Sequence, residues 1–197
     1  MRPDAVPGHP SWEPLRRLRT TVPLAIALVG VAAPVAIASS LEYRVKAAFI
    51  FNFAKFIEWP PQAFADAQTP YSLCVLGQDP FGEDLAAAIA GNLVEGRKLV
   101  VRRVADLKGV SGCHILFVSA SEHERLRAIL DAVGDAPTLT VGEAEDFTRA
   151  GGGLRFYLSE NKVRFEINLA ATERARLKVS AKLLSLARVI GKPAARQ

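Results

Sequence analysis

Apolar and polar residues alternate along the chain in short blocks, and their period switches between that of a strand and that of a helix. The strand-like blocks are Tyr71–Leu76, Lys98–Val104, Cys113–Val118, Thr138–Val141, and the pair Leu154–Leu158 and Val163–Ile167, which flanks Glu160-Asn161 as a hairpin. The helical blocks are Leu41–Trp59, Phe81–Ala90, Ser121–Val133, Glu143–Arg149 and Leu169–Ile190. This alternation predicts a single α/β domain with a mainly parallel sheet, helices on both faces and an antiparallel edge hairpin.

The first predicted helix is apolar on nearly every side from Ala47 to Ala54, and Pro60-Pro61 ends it. Such a helix must be covered all round, either by its own domain as a core helix or partly by a second subunit or a partner. Both interpretations stay open at this point. If the helix forms an interface, the residues expected there are Lys46, Phe49, Phe53, Lys55, Phe56 and Trp59.

The N-terminus has the three parts of a secretory signal. Three arginines within residues 15–19 form a basic region, the stretch from Thr20 to Ser40 carries no charge, and Ala36-Ile37-Ala38 fits a signal-peptidase site. These features predict a signal peptide over residues 1–38, export out of the cytoplasm, and a mature domain over residues 39–197. The alternative is a retained membrane anchor, although two prolines and a glycine interrupt a segment that is short for a span.

The positive charge is concentrated at the C-terminus. The chain has a formal net charge of +5, and residues 169–197 contain seven Lys or Arg but only Glu173 as an acid. A basic terminal helix suits an acidic partner or an anionic membrane surface, although a solvated helix face has the same composition. Leu184 and Arg188 are the candidate contact residues there. The modest charge of an exported domain argues against nucleic acid as a partner.

The chain has two cysteines, Cys74 and Cys113, and each lies in an apolar strand-like run. An even number of cysteines in an exported protein favours a disulfide. The two runs would be neighbours in one sheet. Two buried free thiols are the alternative.

No motif indicates catalytic chemistry. Gly77–Asp84 follows a strand and precedes a helix as phosphate-binding loops do, but Glu83 and Asp84 stand where such a loop requires Lys and then Ser or Thr. Asp79 as a helix N-cap explains this segment without a ligand. The three glycines at residues 151–153 either let a ligand approach the backbone or end a helix before a strand.

The histidines and serines also lack the spacing of a reactive centre. His114 and His123 have no cysteine or carboxylate at distances typical of a metal site, and the sequence G-x-S-x-G is absent. We therefore predict a binding module that is not an enzyme and uses neither a metal nor a cofactor.

The sequence resembles the YfiR-like family of periplasmic regulators over nearly the whole mature chain. The matching blocks are EYRVKAAFIFNFAKFIEWP (Glu42–Pro60), LCVLGQDPFG (Leu73–Gly82), CHILFVS (Cys113–Ser119), LTVGEAEDF (Leu139–Phe147), GGGLRFYLSENKVRFEINLAA (Gly151–Ala171) and LKVSAKLLSLARV (Leu177–Val189). Their order and spacing together make the resemblance specific.

The resemblance implies an α/β domain in the periplasm, commonly a homodimer, that binds the periplasmic domain of a membrane diguanylate cyclase and represses it. It also implies release by an outer-membrane lipoprotein or by oxidative changes at disulfides. Cys74 and Cys113 look like the family's bridge between strands, and the chain has no further cysteines for the second bridge of some members. The alternative function is a periplasmic small-molecule sensor with its ligand in an α/β crevice.

Overall fold

The computed structural model describes residues 33–191, with side chains from residue 41 onward. The helices are α1 Ala33–Phe56, α2 Asp84–Ile89, α3 Leu126–Val133, α4 Leu169–Arg174 and α5 Ala181–Leu184. The strands are β1 Ile57–Glu58, β2 Tyr71–Leu76, β3 Leu93–Val94, β4 Arg97–Val104, β5 Ile115–Val118, β6 Leu139–Gly142, β7 Leu154–Ser159, β8 Lys162–Asn168, β9 Lys178–Val179 and β10 Arg188–Ile190. The predicted signal peptide lies outside the residues with described side chains, so its cleavage stays a prediction.

Eight strands of the described chain form one sheet in the order β10-β8-β7-β6-β5-β2-β4-β3. Neighbouring strands from β4 to β7 are parallel, whereas β7–β8 and β3–β4 are antiparallel hairpins. The predicted fold class is therefore confirmed. The β7–β8 hairpin lies one strand in from the sheet edge, because β10 pairs with β8 in parallel.

The buried side chains of the central strands point alternately into two cores. On β2, Leu73 and Val75 belong to the core that contains α1 and α2, while Cys74 and Leu76 belong to the core that contains α3. Because successive strand residues face opposite sides of a sheet, α1 and α2 cover one face and α3 covers the other.

The β7–β8 hairpin extends past the end of β6. Glu160 and Asn161 at its tip have φ angles of 50° and 57°, the positive values that a type I′ turn requires. β7 pairs with β6 only through Leu154 and Arg155, whereas its pairing with β8 continues to the turn. The outer half of the hairpin is therefore not paired with β6. One face of this half lies beside α1.

α1 begins at Ala33 rather than Leu41 and ends at Phe56 rather than Trp59, because Ile57–Glu58 pairs with β9. No helix within residues 33–191 has the length and apolarity that crossing a membrane requires.

The predicted C-terminal helix over Leu169–Ile190 is wrong. α4 ends where Arg176 takes a left-handed φ of 58°, and α5 begins where the Ser180 hydroxyl accepts a hydrogen bond from the Leu183 N–H. The chain then extends into β10, which pairs with β8. Pairing with a distant strand outweighs the local helix propensity of this basic segment.

The predicted helix over Glu143–Arg149 is also wrong, and tight turns replace it. They carry Phe147 into the core beside α3, where its ring lies between two glycines. A Cβ atom added at Gly142 or Gly152 would lie 2.3 Å from that ring. The glycine run therefore makes room for the chain's own phenylalanine.

Two predicted helix starts are displaced. The Ser119 hydroxyl, not that of Ser121, accepts the first capping hydrogen bond, and a 3-10 segment precedes α3. Asp79 accepts a hydrogen bond from the Phe81 N–H, but α2 begins several residues later.

Candidate functional site

The sheet buries one side of α1 between Lys46 and Ala54. Ala47, Ile50 and Phe53 are buried, and the Phe53 ring centroid lies 5.6 Å from that of Phe156 on β7 and 5.2 Å from that of Phe165 on β8. α1 is therefore mainly a core helix. The expectation that Phe53 lies at an interface is corrected, because this side chain is part of the interior.

Lys46 is likewise buried and does not form the rim of an interface. Its ammonium group donates hydrogen bonds to Glu42, one turn earlier on α1, and to Glu143, which directly follows β6. The Tyr43 hydroxyl donates to the same Glu143 carboxylate at 3.1 Å. Burial, followed by the Glu143 charge, raises the pKa of Tyr43 above its usual range. This cluster fixes the turn of α1 that contains Tyr43 and Lys46 to the end of β6.

The other predicted contact residues lie at and just after the C-terminal end of α1, on α5 and on β10. Trp59 is buried, and its indole N–H donates to a backbone carbonyl ahead of β5 at 3.3 Å. Phe56 and Leu184 are half-buried where α5 packs against the C-terminal end of α1, and Lys55 is exposed nearby. Arg188 lies on the edge strand β10. Their contact with a partner stays a prediction.

Phe49 lines an open apolar groove between α1 and the outer end of the β7–β8 hairpin, which we call the α1–hairpin groove. On the helix wall, Leu41, Val45 and Phe49 stand one turn apart. On the hairpin wall, Leu158 and Val163 face each other as a cross-strand pair. Leu41 is 60% exposed and Leu158 is 55% exposed. Exposed apolar side chains that gather in one place with polar residues around them are a feature of interaction sites.

The charges around the groove are distributed unequally. Lys162 and Arg164 alternate with Val163 along β8, so their side chains leave the hairpin on the face opposite the groove. On the helix wall, the Glu42 carboxylate is already hydrogen-bonded to buried Lys46. Glu160 lies at the hairpin tip. The two cations therefore lie outside the apolar lining of the groove.

Sequence reasoning found Phe49 but missed the other four apolar residues of the groove, which are Leu41, Val45, Leu158 and Val163. Two features of the sequence could have indicated these residues. They are the spacing of one helical turn along α1 and the apolar residue near the turn in each hairpin strand. Each of these positions reads as ordinary core, and only the folded chain shows that they meet at the surface.

The predicted disulfide is present. Cys74 and Cys113 are bonded, with their Cα atoms 5.8 Å apart. Both are buried in the core that contains α3. The bridge therefore lies on the opposite face of the sheet from the α1–hairpin groove.

The crevice where an open α/β sheet usually binds a small ligand is filled. The strand order reverses around β2, so that crevice lies beyond the carboxyl ends of β2 and β5. There the Ser121 hydroxyl accepts a hydrogen bond from the Gln78 N–H, and a Cβ atom added at Gly77 would lie 2.6 Å from the same oxygen. Among residues 33–191, no group of three or more potential protein ligands is placed to hold a metal ion.

Solved structures show where else this fold occurs. The chain is similar to a conserved domain protein from Vibrio cholerae, with a TM-score of 0.51 and 12% identity over 75% of this chain and 59% of that one. It is also similar to the ABC domain from Streptococcus pneumonia, solved in complex with L-Trp, with a TM-score of 0.49 and 9% identity over 78% and 60% of the two chains. The first likeness shows the fold alone, and the second is too loose to support any statement. No curated protein matches the chain.

The family comparison covers most of the molecule. A family model described as YfiR/HmsC-like matches residues 43–188. The matched range contains α1 from Tyr43 onward, both bonded cysteines and the sheet from β2 to the first residue of β10. The chain belongs to the YfiR/HmsC-like family.

Proposed function

We propose that the mature protein is a periplasmic regulator that binds the periplasmic domain of a membrane-bound diguanylate cyclase and holds the enzyme inactive. Family membership supports this class of function. In this proposal the protein acts as a homodimer, the α1–hairpin groove receives the cyclase, and an outer-membrane lipoprotein relieves the repression.

The exposed groove is the observation that carries the proposal. Seven large apolar side chains are exposed in the described part of the chain, and Leu41, Val45 and Leu158 gather at this one place. Full burial of a leucine side chain contributes about 1.5–3 kcal/mol. A partner that covers the groove therefore gains several kcal/mol from side chains that the fold itself leaves exposed.

The groove favours a macromolecular partner over a small ligand. It is an open channel between a helix and a hairpin, whereas small-ligand sites enclose most of the ligand surface. The filled crevice beyond β2 and β5 gives the sensor alternative no support at that position.

Deletion of the gene from its own host tests the proposal. The intracellular concentration of cyclic-di-GMP is expected to rise in the deletion strain and to return to its original value when the wild-type gene is restored. An unchanged concentration under every growth condition would remove the cyclase assignment. In that case, native mass spectrometry of the purified protein would be used to look for a retained small molecule.

A further inference from the structure

We infer that the outer edge of β7 receives an extended, basic segment of the partner, which adds to the sheet as a strand beside β7. The inference rests on the proposed function and specifies which kind of segment makes the contact. It is carried by three observations, which are the unpaired backbone groups on this edge, the uncharged side chains along it and the acidic residues around it.

β7 continues past the end of β6, and its outer backbone groups there lack partners. The Asn168 N–H donates to the Gly153 carbonyl at 2.8 Å, so every second residue from Gly153 bonds to β8 and the residues between them point their backbone groups outward. β6 ends at Gly142, whose carbonyl can accept from the Phe156 N–H but from nothing beyond it. Within residues 33–191, the Phe156 carbonyl and both backbone groups of Leu158 are therefore unpaired on this edge.

The two outer edges of the β7–β8 hairpin differ in charge. On β8, the stretch before its pairing with β10 carries Lys162 and Arg164, and charged side chains of this kind discourage the addition of another strand. On β7, the stretch Phe156–Ser159 has no charge and includes Leu158, which is 55% exposed. The β7 edge therefore lacks the protection that the β8 edge of the same hairpin has.

An open notch lies beside the β7 edge, between that edge, the end of β6 and α1; we call it the β7 notch. Two of its acids, Glu42 and Glu143, share one cation, which is buried Lys46. A third acid, Glu145, is exposed, and its carboxylate forms no ion pair or hydrogen bond with another residue in the described part of the chain. Acids therefore outnumber cations in this cluster, so basic side chains on an added strand would complement it.

The nearby arginine and lysine side chains do not reverse this charge. Arg155 also lines the β7 notch, but its guanidinium donates a hydrogen bond to the buried Glu166 carboxylate at 2.9 Å. Lys162 and Arg164 stand on β8, two strand spacings from an added strand, which is about 10 Å and exceeds the Debye length at physiological salt. The charges that an added strand meets at close range are therefore the acids of the notch.

A strand of the partner fits this edge better than the other occupants. A helix satisfies its own backbone groups and would leave those of Leu158 unused. A second copy paired through the same edge would bring two acidic notches together. An extended segment pairs with the backbone of β7, and its side chains reach the notch. Leu158 lines both the β7 notch and the α1–hairpin groove, so the added strand would lie next to the groove.

Photocrosslinking identifies the occupant. p-Benzoylphenylalanine is introduced at Leu158 in the full chain, in its own host, and a second strain carries it at Leu93, which is equally exposed on the distant strand β3. The Leu158 probe is expected to crosslink a periplasmic segment of a membrane protein that alternates apolar and polar residues with period two and contains Lys or Arg. A crosslink to a segment with helical spacing, to a lipid, to a second copy or to residues 1–40 of the same chain would overturn the inference. Equal yields at both positions would also overturn it.

Amide hydrogen exchange tests the backbone contact directly. The crosslinked segment is synthesised as a peptide, and exchange in the purified protein is followed by NMR with and without it. The Leu158 amide is expected to exchange quickly in the free protein and at least about 10-fold more slowly with saturating peptide. The Val163 amide points outward at the β8 edge directly opposite, so it is the matched control and should not change. Unchanged exchange at Leu158, or equal protection at Val163, would overturn the inference.

Two pairs of variants separate the backbone contact and the charge from the apolar side chain. Leu158→Pro and Leu158→Ala lose the same side chain, but only proline removes the outward N–H, so Leu158→Pro should bind the peptide about 10-fold more weakly than Leu158→Ala. Glu145→Lys should bind about 10-fold more weakly than the wild type at low salt, with a smaller loss at high salt. Glu83→Lys makes the same change of charge next to α2, after a strand three positions away in the sheet, and should bind as the wild type does. Circular dichroism checks that the variants fold. Equal affinities in the leucine pair would refute the added strand, and equal affinities in the glutamate pair would refute its basic character.

The two proposals fail in different ways. If the peptide does not protect the Leu158 amide but Leu158→Glu still raises cyclic-di-GMP in the host, the added strand is wrong and the groove keeps its proposed function. If deletion of the gene leaves cyclic-di-GMP unchanged, the proposed function is wrong whatever the peptide does.

Discussion

His114 is buried and uses both nitrogens of its ring. The Ser72 N–H donates to Nδ1 at 3.0 Å, and Nε2 lies 3.1 Å from the Ala63 carbonyl oxygen. A neutral ring protonated on Nε2 satisfies both contacts. Phe64 stacks on the ring with centroids 4.5 Å apart. Burial lowers the pKa of His114, and the nearby positive charge of Arg97 lowers it further. The hydrogen bond to the Ala63 carbonyl acts in the opposite direction but is outweighed.

The lowered pKa of His114 predicts a loss of stability in acid. The unfolded chain takes up a proton at this residue near pH 6.5, whereas the folded chain does so only at lower pH. The free energy of unfolding should therefore decrease below about pH 6.5, by up to about 1.4 kcal/mol per pH unit from this residue. Urea denaturation at pH 7.5 and 5.5 measures the decrease.

Two variants separate this effect from other titrations. His114→Gln should flatten the pH dependence and should itself cost about 1–3 kcal/mol at pH 7.5, because it leaves buried backbone groups without partners. His123→Gln changes an exposed histidine and should keep the wild-type profile. An unchanged pH dependence in His114→Gln would refute the assignment.

Glu166 shows a buried carboxylate that is fully partnered. Its Oε1 accepts hydrogen bonds from Arg155 at 2.9 Å and from the Thr148 hydroxyl at 2.6 Å, and Arg188 lies 4.0 Å from Oε2. Burial raises the pKa of Glu166, but the hydrogen bonds from Arg155 and Thr148 outweigh it, and the pKa lies below its usual value.

Glu166→Gln is therefore expected to lower the free energy of unfolding by about 3 kcal/mol at pH 7, because it removes the charge of a buried carboxylate and leaves half-buried Arg155 without its counter-charge. Arg188→Gln should cost at most about 1 kcal/mol, since the Arg188 side chain is 66% exposed. The Glu166→Gln deficit should shrink as the pH falls from the ordinary glutamate pKa of about 4.3 through the lower pKa of Glu166 in the folded chain. Urea denaturation of both variants tests this order, and equal costs would contradict it.

The tip of the β7–β8 hairpin contains a measurable strain. A positive φ at Glu160 costs a residue with a side chain about 1 kcal/mol. Glu160→Gly is therefore expected to raise the free energy of unfolding by about 0.5–1 kcal/mol. Ser159→Gly, one residue earlier in regular β7, should lower it by about the same amount. Thermal melts of the two variants should shift in opposite directions, and destabilisation by both would show that the turn is not strained.

At the level of elements, local patterns were reliable where burial alone decides the structure. β2 and β5 are continuous apolar runs, and both form as predicted. β10 was missed because Arg188–Ile190 is a strand only through its pairing with β8. The turns around Phe147 were missed because the space for its ring comes from Gly142 and Gly152, one on either side of it in the sequence.

The same limit applied to the candidate site. A helix that is apolar on every side does not reveal which side the sheet covers. The sequence therefore offered no reason to assign Phe49 to the surface and Phe53 to the core. In the structure Phe53 is interior and Phe49 lines the groove. The hairpin wall was invisible because Leu158 and Val163 read as ordinary strand residues.

For the whole molecule, the disulfide and the groove lie on opposite faces of the sheet. The bridge joins residues 39 positions apart, and the chain-entropy model gives about 4 kcal/mol for a loop of this length. The double variant Cys74→Ala and Cys113→Ala is expected to lose about that amount in urea denaturation. Below its melting temperature it should still repress, because the groove does not contact the bridge. Loss of repression in the folded variant would show a redox switch instead of a structural bridge.

The central claim is that repression acts through the α1–hairpin groove. The most direct test compares Leu158→Glu with Leu93→Glu, since the two leucines are 55% and 57% exposed but only the first lines the groove. Each variant replaces the wild-type gene in the host, and the intracellular concentration of cyclic-di-GMP is measured at equal protein level. We predict that Leu158→Glu raises the concentration to that of the deletion strain, whereas Leu93→Glu leaves it at the wild-type value. Wild-type cyclic-di-GMP in the Leu158→Glu strain would contradict the claim.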